Sequence, residues 1–196
     1  MIAAVVLSAG ESSRMGRPKA LLPIDGETFL ERIVSVLKQT KIGKIVVVIG
    51  HNAAEMKQKI EHLPVEILIN QKYRLGQLSS LHVAIRHLVA DPNCGGILVH
   101  LVDHPYIDPD LVNRMIEAAA TSGKLIVVPR HRGKRGHPVI LSRKLFNELL
   151  AAPLDQGAKT VVNAHPNETL AIDVDDQGVT IDIDTPDEYR EHVKSK

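Results

Sequence analysis

Ile2-Ala3-Ala4-Val5-Val6-Leu7-Ser8-Ala9-Gly10 is a short apolar run, rich in β-branched residues, that ends in small and polar positions. Such a run suits a central parallel strand covered on both faces. Gly10-Glu11-Ser12-Ser13-Arg14-Met15-Gly16-Arg17-Pro18-Lys19 stands directly behind it. In an open α/β sheet, ligands bind beyond the carboxyl ends of the strands, so this loop is the first place to look for chemistry.

The strand signature recurs at residues 45–49, closed by Gly50, and at 97–102, closed by Asp103; residues 65–69 and 125–128 are weaker versions. Between these runs lie amphipathic helices. Phe29, Ile33 and Leu37 are spaced by four, and Leu78, Leu81, Ile85 and Leu88 follow a three-four-three pattern. Asp108 is placed to cap a further helix with Pro109 at its first position and Leu111, Val112, Met115 and Ala119 facing inward. Strands alternating with helices predict βαβ units, hence an α/β fold: a three-layer αβα, Rossmann-like architecture around an open, mostly parallel sheet.

The alternation fades after Pro129, and a flap is expected around residues 130–141. Helical patches at 142–150 and 155–163 then precede a β-prone region at 169–183 that contains the turn Asp175-Asp176-Gln177-Gly178. Thr185 and Glu188 are spaced as a capping box, with Pro186 in the first turn of a closing helix. The 196 residues fit one domain. Hydrophobic residues at 44% and charged residues at 24% match ordinary globular usage, which excludes disordered and fibrous classes.

A net charge of +1 supplies no general field for nucleic acid, so any phosphate recognition must come from a local basic cluster. Cys94 is the single cysteine, which rules out an intrachain disulfide and zinc-type cysteine spacings. No run reaches membrane-spanning length and no leader-like segment is evident, so a cytoplasmic protein is expected.

In the first loop, Gly10 and Gly16 allow tight backbone geometry, while Arg14, Arg17 and Lys19 gather positive charge in one turn. That combination suits a polyphosphate, although a solvated turn with basic residues facing water has the same composition. The loop is neither a P-loop, because no Ser or Thr follows Lys19, nor G-x-G-x-x-G. Asp103, at the end of a strand on the same sheet edge, can hold magnesium against phosphate oxygens or simply cap a turn. His100 and His104 flank Asp103, but the segment reads as strand and turn, which lacks the helical spacing of a zinc motif.

Residues 7–19 closely resemble the signature of the nucleotidyltransferase family that makes dinucleotide forms of the molybdenum cofactor. Gly76-Gln77-Leu78-Ser79-Ser80-Leu81, Leu101-Val102-Asp103-His104-Pro105 and Asp182-Ile183-Asp184-Thr185-Pro186-Asp187-Glu188 fit the same family in order. The resemblance implies a Rossmann-like transferase. Leu7, Ala9, Gly10, Glu11 and Ser12 would hold a nucleoside triphosphate, with Arg14 and Lys19 on its phosphates. Asn70, Gly76, Ser79 and Ser80 would line its base pocket. Family members that use GTP usually carry glycine where this chain has Ala9, so CTP is the expected donor.

The resemblance further implies Asp103 as the main ligand of magnesium. Asp182 and Asp184 can add a second carboxylate, or Asp184 can simply cap the closing helix. Gly136-His137-Pro138 matches a family segment near the acceptor site, so Arg130, Arg135, Gly136 and His137 are expected to meet the phosphorylated acceptor. For the basic stretch around Arg132 and Lys134, an exposed loop without a catalytic role is the alternative.

The expected reaction transfers CMP from CTP to the phosphate of molybdopterin or molybdenum cofactor, releasing pyrophosphate; Arg14, Lys19 and Asp103 are its catalytic residues. A sugar 1-phosphate or 2-phospholactate acceptor, or GTP as donor, fits the same fold. A non-catalytic protein that delivers cofactor to a molybdenum-enzyme partner is the alternative of a different class. Neither nucleic acid nor a membrane is an expected partner.

Overall fold

The computed structural model describes residues 1–193. β1 (Ile2–Ser8) is followed by a small antiparallel hairpin, β2 (Pro23–Ile24) and β3 (Glu27–Thr28), and by α1 (Phe29–Lys38). The chain continues through β4 (Lys44–Ile49), α2 (Ala53–Ile60), β5 (Glu66–Ile69), α3 (Gln77–Leu88), β6 (Gly96–Leu101) and α4 (Pro109–Thr121). β7 (Ile126–His131), β8 (Lys134–Arg135), β9 (Val139–Ser142), α5 (Phe146–Ala151), α6 (Lys159–Ala164), β10 (Thr169–Asp173) and α7 (Pro186–His192) complete it.

The main sheet runs in the order β10-β7-β9-β6-β1-β4-β5, with β8 paired to β7. β1 pairs in parallel with β4 on one side and β6 on the other, so its carboxyl end lies at the centre of one sheet edge. Alternate residues of each strand enter opposite cores, as the two-residue period requires. Ala4, Val6, Val47 and Leu98 pack beneath α1, α2 and α4, whose Leu30, Ile33, Leu37, Met56, Ile60, Val112 and Met115 are buried there. Ala3, Val5, Val46 and Ile97 face α3, α5 and α6 through Leu78, Leu81, Ile85, Phe146, Leu149 and Val161. This is the three-layer αβα arrangement that the alternation predicts.

The helix signals are realised at atomic level. Thr28 and Glu31 close a capping box on α1, Asp108 accepts from the amides of Asp110 and Leu111, and Thr185 and Glu188 close a second box on α7. Each such cap contributes on the order of 1 kcal/mol by satisfying free amides at a helix start.

The segment expected as a flap is divided. Residues 131–138 form a hairpin at the carboxyl edge of the sheet, whereas Val139–Ser142 is inserted antiparallel between β6 and β7 in the interior of the sheet. In the β-prone region at 169–183 the expected turn forms at its predicted place: Gln177–Thr180 is a 3-10 turn opened by Asp176, whose carboxylate accepts from the Gly178 amide, and only Thr169–Asp173, before it, joins the sheet. An intervening turn that satisfies its own backbone locally removes the partner a second strand would need.

That turn packs against the hairpin. His137 donates its amide to the Val179 carbonyl at 2.8 Å, and a Cβ placed on Gly136 would lie 2.1 Å from the same oxygen. Gly136→Ala is therefore expected to destabilise the fold by roughly 1–3 kcal/mol, read as a lowered midpoint in thermal unfolding followed by far-UV circular dichroism.

Candidate active site

A cleft of about 310 Å³ opens at the carboxyl edge of the sheet. Leu7 to Arg14, Pro18 and Lys19 form its floor and one wall, with Asp103 and Asp184 on the β6 side and His51, Tyr73, Gly76, Gln77 and Ser80 on the β4–β5 side. The loop after β1 holds its shape through the Ser12 carbonyl, which accepts from the Met15 and Gly16 amides, and the Ser12 hydroxyl, which accepts from the Lys19 amide at 3.3 Å. Gly16 has φ +74°, as expected for a glycine in a turn, but the other left-handed position in this loop is Ser12 at +53°. At Gly10 a Cβ would meet nothing within 4 Å, so no packing within the protein demands a glycine there.

Met15 anchors the loop from below. It lies with Leu22, Ile24, Phe29 and Ile183 in a separate apolar cluster that also takes in Tyr106 and Tyr189. The Ile183 amide donates to the Asp103 carbonyl at 2.9 Å. The cluster and this bond bring the segment before α7 beside the end of β6, which places Asp184 across the cleft from the loop.

Lys19 is the centre of the charge pattern. Its Nζ donates to Asp103 Oδ2 at 2.9 Å and also pairs with Asp184, which accepts from Arg14 at 2.6 Å through its other oxygen. The lysine side chain is only 11% exposed, whereas that of Arg14 is 68% exposed. Burial pushes the Lys19 ammonium down, but the Asp103 and Asp184 carboxylates outweigh it and hold the pKa above its usual value. For Asp184, burial acts upward, yet Lys19 and Arg14 hold the carboxyl below its usual range. Asp182 is exposed and outside the cleft lining, and it is Asp184 that shares the Lys19 ammonium with Asp103.

The residues expected around the base divide in the same way. Gly76 and Ser80 line the cleft, but Asn70 is buried behind it, donating to the hydroxyls of Ser79 and Ser80 at 2.8 and 3.0 Å. Ser79 in turn donates to the Gly76 and Lys72 carbonyls, so both it and Asn70 brace the entry to α3. His51, Tyr73 and Gln77 are cleft residues that pattern reading missed. Gln77 lies inside the Gly76–Leu81 segment that resembles the family, whereas the signal for His51 and Tyr73 is position after a strand, which many loop residues share.

The acceptor group expected on the hairpin does not enter this cleft. Arg130 makes a two-pronged ion pair with Asp173 on the edge strand, and Arg135 is exposed. His137 instead packs against His104, with ring centroids 4.8 Å apart, next to the buried His100. The Nδ1 atoms of all three rings are buried without a hydrogen-bond partner. Burial, reinforced by the other two rings, drives the His100 pKa down to about 3; burial and His104 bring that of His137 to about 4. These rings are therefore neutral at physiological pH. Among the described residues no group of three or more His, Cys, Asp or Glu side chains is arranged to hold a metal ion.

The MobA-like NTP transferase domain matches residues 4–169. The chain belongs to this family. It is 30% identical to nicotine blue oxidoreductase of Paenarthrobacter nicotinovorans over 96% of its own length and 95% of that protein's. It is 26% identical to molybdenum cofactor cytidylyltransferase of Escherichia coli K12, covering 94% and 92% of the two chains. Rv0371c of Mycobacterium tuberculosis H37Rv superposes with a TM-score of 0.86 at 31% identity, covering 99% and 97% of the two chains. A complex of Rv0371c with manganese has also been solved, matching at a TM-score of 0.80 and 28% identity over 100% and 99% of the two chains. The family member is thus a nucleotidyltransferase-type enzyme with a Rossmann-like fold. Among the described residues no helix is long and apolar enough to cross a membrane.

The histidine cluster makes a pH prediction. His100 has a folded pKa of about 3, below its value of about 6.5 in an unfolded chain, so stability is intact above pH 6.5 and declines as the unfolded state takes up protons below it. At pH 5 the loss from this group is about 2 kcal/mol. Urea unfolding at pH 7.5 and pH 5 should show a drop that His100→Leu reduces by about that amount; equal drops in the two proteins would contradict the assignment.

Proposed function

We propose that this protein transfers a cytidylyl group from CTP to the phosphate of molybdopterin or molybdenum cofactor, with release of pyrophosphate. The observation that carries the reading is the Lys19 ammonium held between Asp103 and Asp184 in a cleft floored by the loop after β1. The similarity to a molybdenum cofactor cytidylyltransferase across nearly the whole chain supports the acceptor, and Ala9 supports cytidine over guanosine. A relative named as an oxidoreductase matches just as fully, so the fold serves more than one reaction. The assignment to transfer therefore rests on the charged side chains.

A phosphate oxygen of the acceptor attacks the α-phosphorus of CTP in line, and the bond from that phosphorus to the bridging oxygen of pyrophosphate breaks. The acceptor monoester, with a second pKa near ~6, is largely ionised at neutral pH and needs no strong general base. Arg14 and Lys19 carry the positive charge that faces the departing pyrophosphate. Lys19 stays protonated throughout, because the flanking carboxylates raise its pKa. Fixing both reactants against this charge lowers the barrier by orientation and electrostatic stabilisation.

The residues present also suit a divalent cation. Asp103 Oδ1 is buried with no hydrogen-bond partner, and Asp184 offers a second carboxylate in the same cleft. Magnesium takes one or two carboxylates together with substrate phosphates, which matches this donor set. Bound there, it would neutralise charge on the triphosphate.

The deciding assay incubates the enzyme with molybdenum cofactor, magnesium and each of CTP, GTP, ATP and UTP, and follows pyrophosphate release and product mass. CTP is expected to give the fastest release and a cytidine dinucleotide product. A sugar nucleotide formed from a sugar 1-phosphate, or transfer from GTP alone, would overturn the assignment.

Lys19→Ala and Asp103→Asn should each lower kcat by about 10²-fold or more while still folding by circular dichroism, with a lowered thermal midpoint for Lys19→Ala because it leaves two carboxylates without their shared cation. Retention of full turnover by Asp103→Asn would instead favour a nucleotide-binding partner of a molybdenum enzyme. Removal of divalent cations with a chelator should abolish release, and magnesium should restore it.

A further inference from the structure

The cleft has two chemically different sides, and the sheet order separates them. β6 lies on one side of β1, and its end supplies Asp103 next to Lys19 and Asp184; β4 and β5 lie on the other, and the loops after them supply His51 and Tyr73. The first side is charged. The second is formed by His51, Met56, Tyr73, Gly76, Gln77 and Ser80, and the charged lining group that reaches it is Glu11, from the loop after β1, through the Tyr73 hydroxyl. A nucleotide has the same division, with phosphates at one end and a flat aromatic ring at the other.

Tyr73 is held more firmly than its place in a loop suggests. Its hydroxyl lies 3.2 Å from His51 Nδ1 and donates to Glu11 at 3.4 Å, while the His51 ring meets it edge-on at 5.8 Å between centroids. Arg74, which does not line the cleft, sits 5.8 Å from the Tyr73 ring centre and donates to the same Glu11 carboxylate at 3.1 Å. The backbone is fitted to the ring as well. A Cβ on Gly50 would lie 2.6 Å from Tyr73 Cβ and 2.8 Å from the Ala9 carbonyl oxygen, which itself accepts from the His51 amide at 3.0 Å. Ala9, Gly50 and His51 thus form a continuous support beneath a half-buried aromatic ring that borders the cleft.

We propose that the Tyr73 ring is the surface on which the nucleobase of the donor nucleotide stacks, with His51 and Glu11 fixing its orientation. The inference rests on the nucleotide-transfer reading of the same cleft. Its physical basis is that a preoriented ring loses little freedom when a base covers it, and that base–aromatic stacking is insensitive to base identity. Discrimination among bases then falls to polar groups at the edge of the platform, where Gln77 and Ser80 line the cleft.

The test measures equilibrium binding of CTP and of inorganic tripolyphosphate to the wild-type protein, Tyr73→Leu and Tyr73→Phe by titration calorimetry. Tyr73→Leu should bind CTP at least about tenfold more weakly and bind tripolyphosphate within about twofold of wild type. Tyr73→Phe keeps the ring and should retain most of the CTP affinity. The proposal is overturned if Tyr73→Leu binds CTP as the wild type does, or loses both ligands in equal measure, as a merely structural tyrosine would. Failure of the broader reading looks different: the wild-type protein would then bind neither CTP nor tripolyphosphate, whereas equal binding of the two by the wild type would overturn the stacking proposal alone.

Discussion

The ammonium of Lys19 ties together parts of the chain that lie 84 and 165 residues away, through Asp103 and Asp184. Without that cation, two partly buried carboxylates would repel one another across the cleft. With it, each carboxylate can stay ionised, and the loop after β1, the end of β6 and the segment before α7 are held to one geometry. Removing one member of such a group leaves the others as uncompensated charges, which costs more than the pair itself contributes. Arg14 adds a second positive charge from the exposed side. An arriving triphosphate competes with the carboxylates for Lys19, and carboxylate oxygens released in that competition are of the kind a divalent cation binds. The charge group that holds the cleft together is thus the one the proposed chemistry uses.

This charge group depends on apolar packing below it. Met15 is the one residue of the basic loop that turns inward, and the cluster it shares with Leu22, Phe29 and Ile183 draws the loop and the C-terminal segment onto the same ground. The amide of Ile183 bonded to the Asp103 carbonyl sets the distance between the two carboxylates. Directional ion pairs are effective only when their partners are already in place, and burying these side chains supplies the nondirectional force that does so. Farther along the sheet, the antiparallel insertion of β9 returns the chain to the β6 side after the hairpin. That return sets His137 against His104, directly behind Asp103.

Much of the architecture was legible because it follows from periodicity. Apolar runs ending in Gly10, Gly50 and Asp103 marked β1, β4 and β6, and the three- and four-residue spacing of Leu78, Leu81, Ile85 and Leu88 marked α3. Caps at Asp108 and Thr185 were legible for a local reason: a side chain two or three residues away satisfies the first free amides. The fate of residues 139–142 was not. A strand next to a basic hairpin has the same local pattern whether it projects from the sheet or enters it, and only the gap between β6 and β7 decides the outcome.

By itself the sequence determined the α/β class, the functional edge of the sheet and the basic loop, because these rest on local chemistry and on the rule that ligands gather beyond the strand ends. Tertiary structure alone decided which carboxylate shares the Lys19 ammonium with Asp103: Asp182 and Asp184 are equivalent in sequence, and Asp184 is the one that pairs with it. It also withdrew Asn70 and Ser79 into a buried hydrogen-bond network and brought His51 and Tyr73 to the cleft. Those outcomes depend on which segments become neighbours, and no spacing along one chain records that.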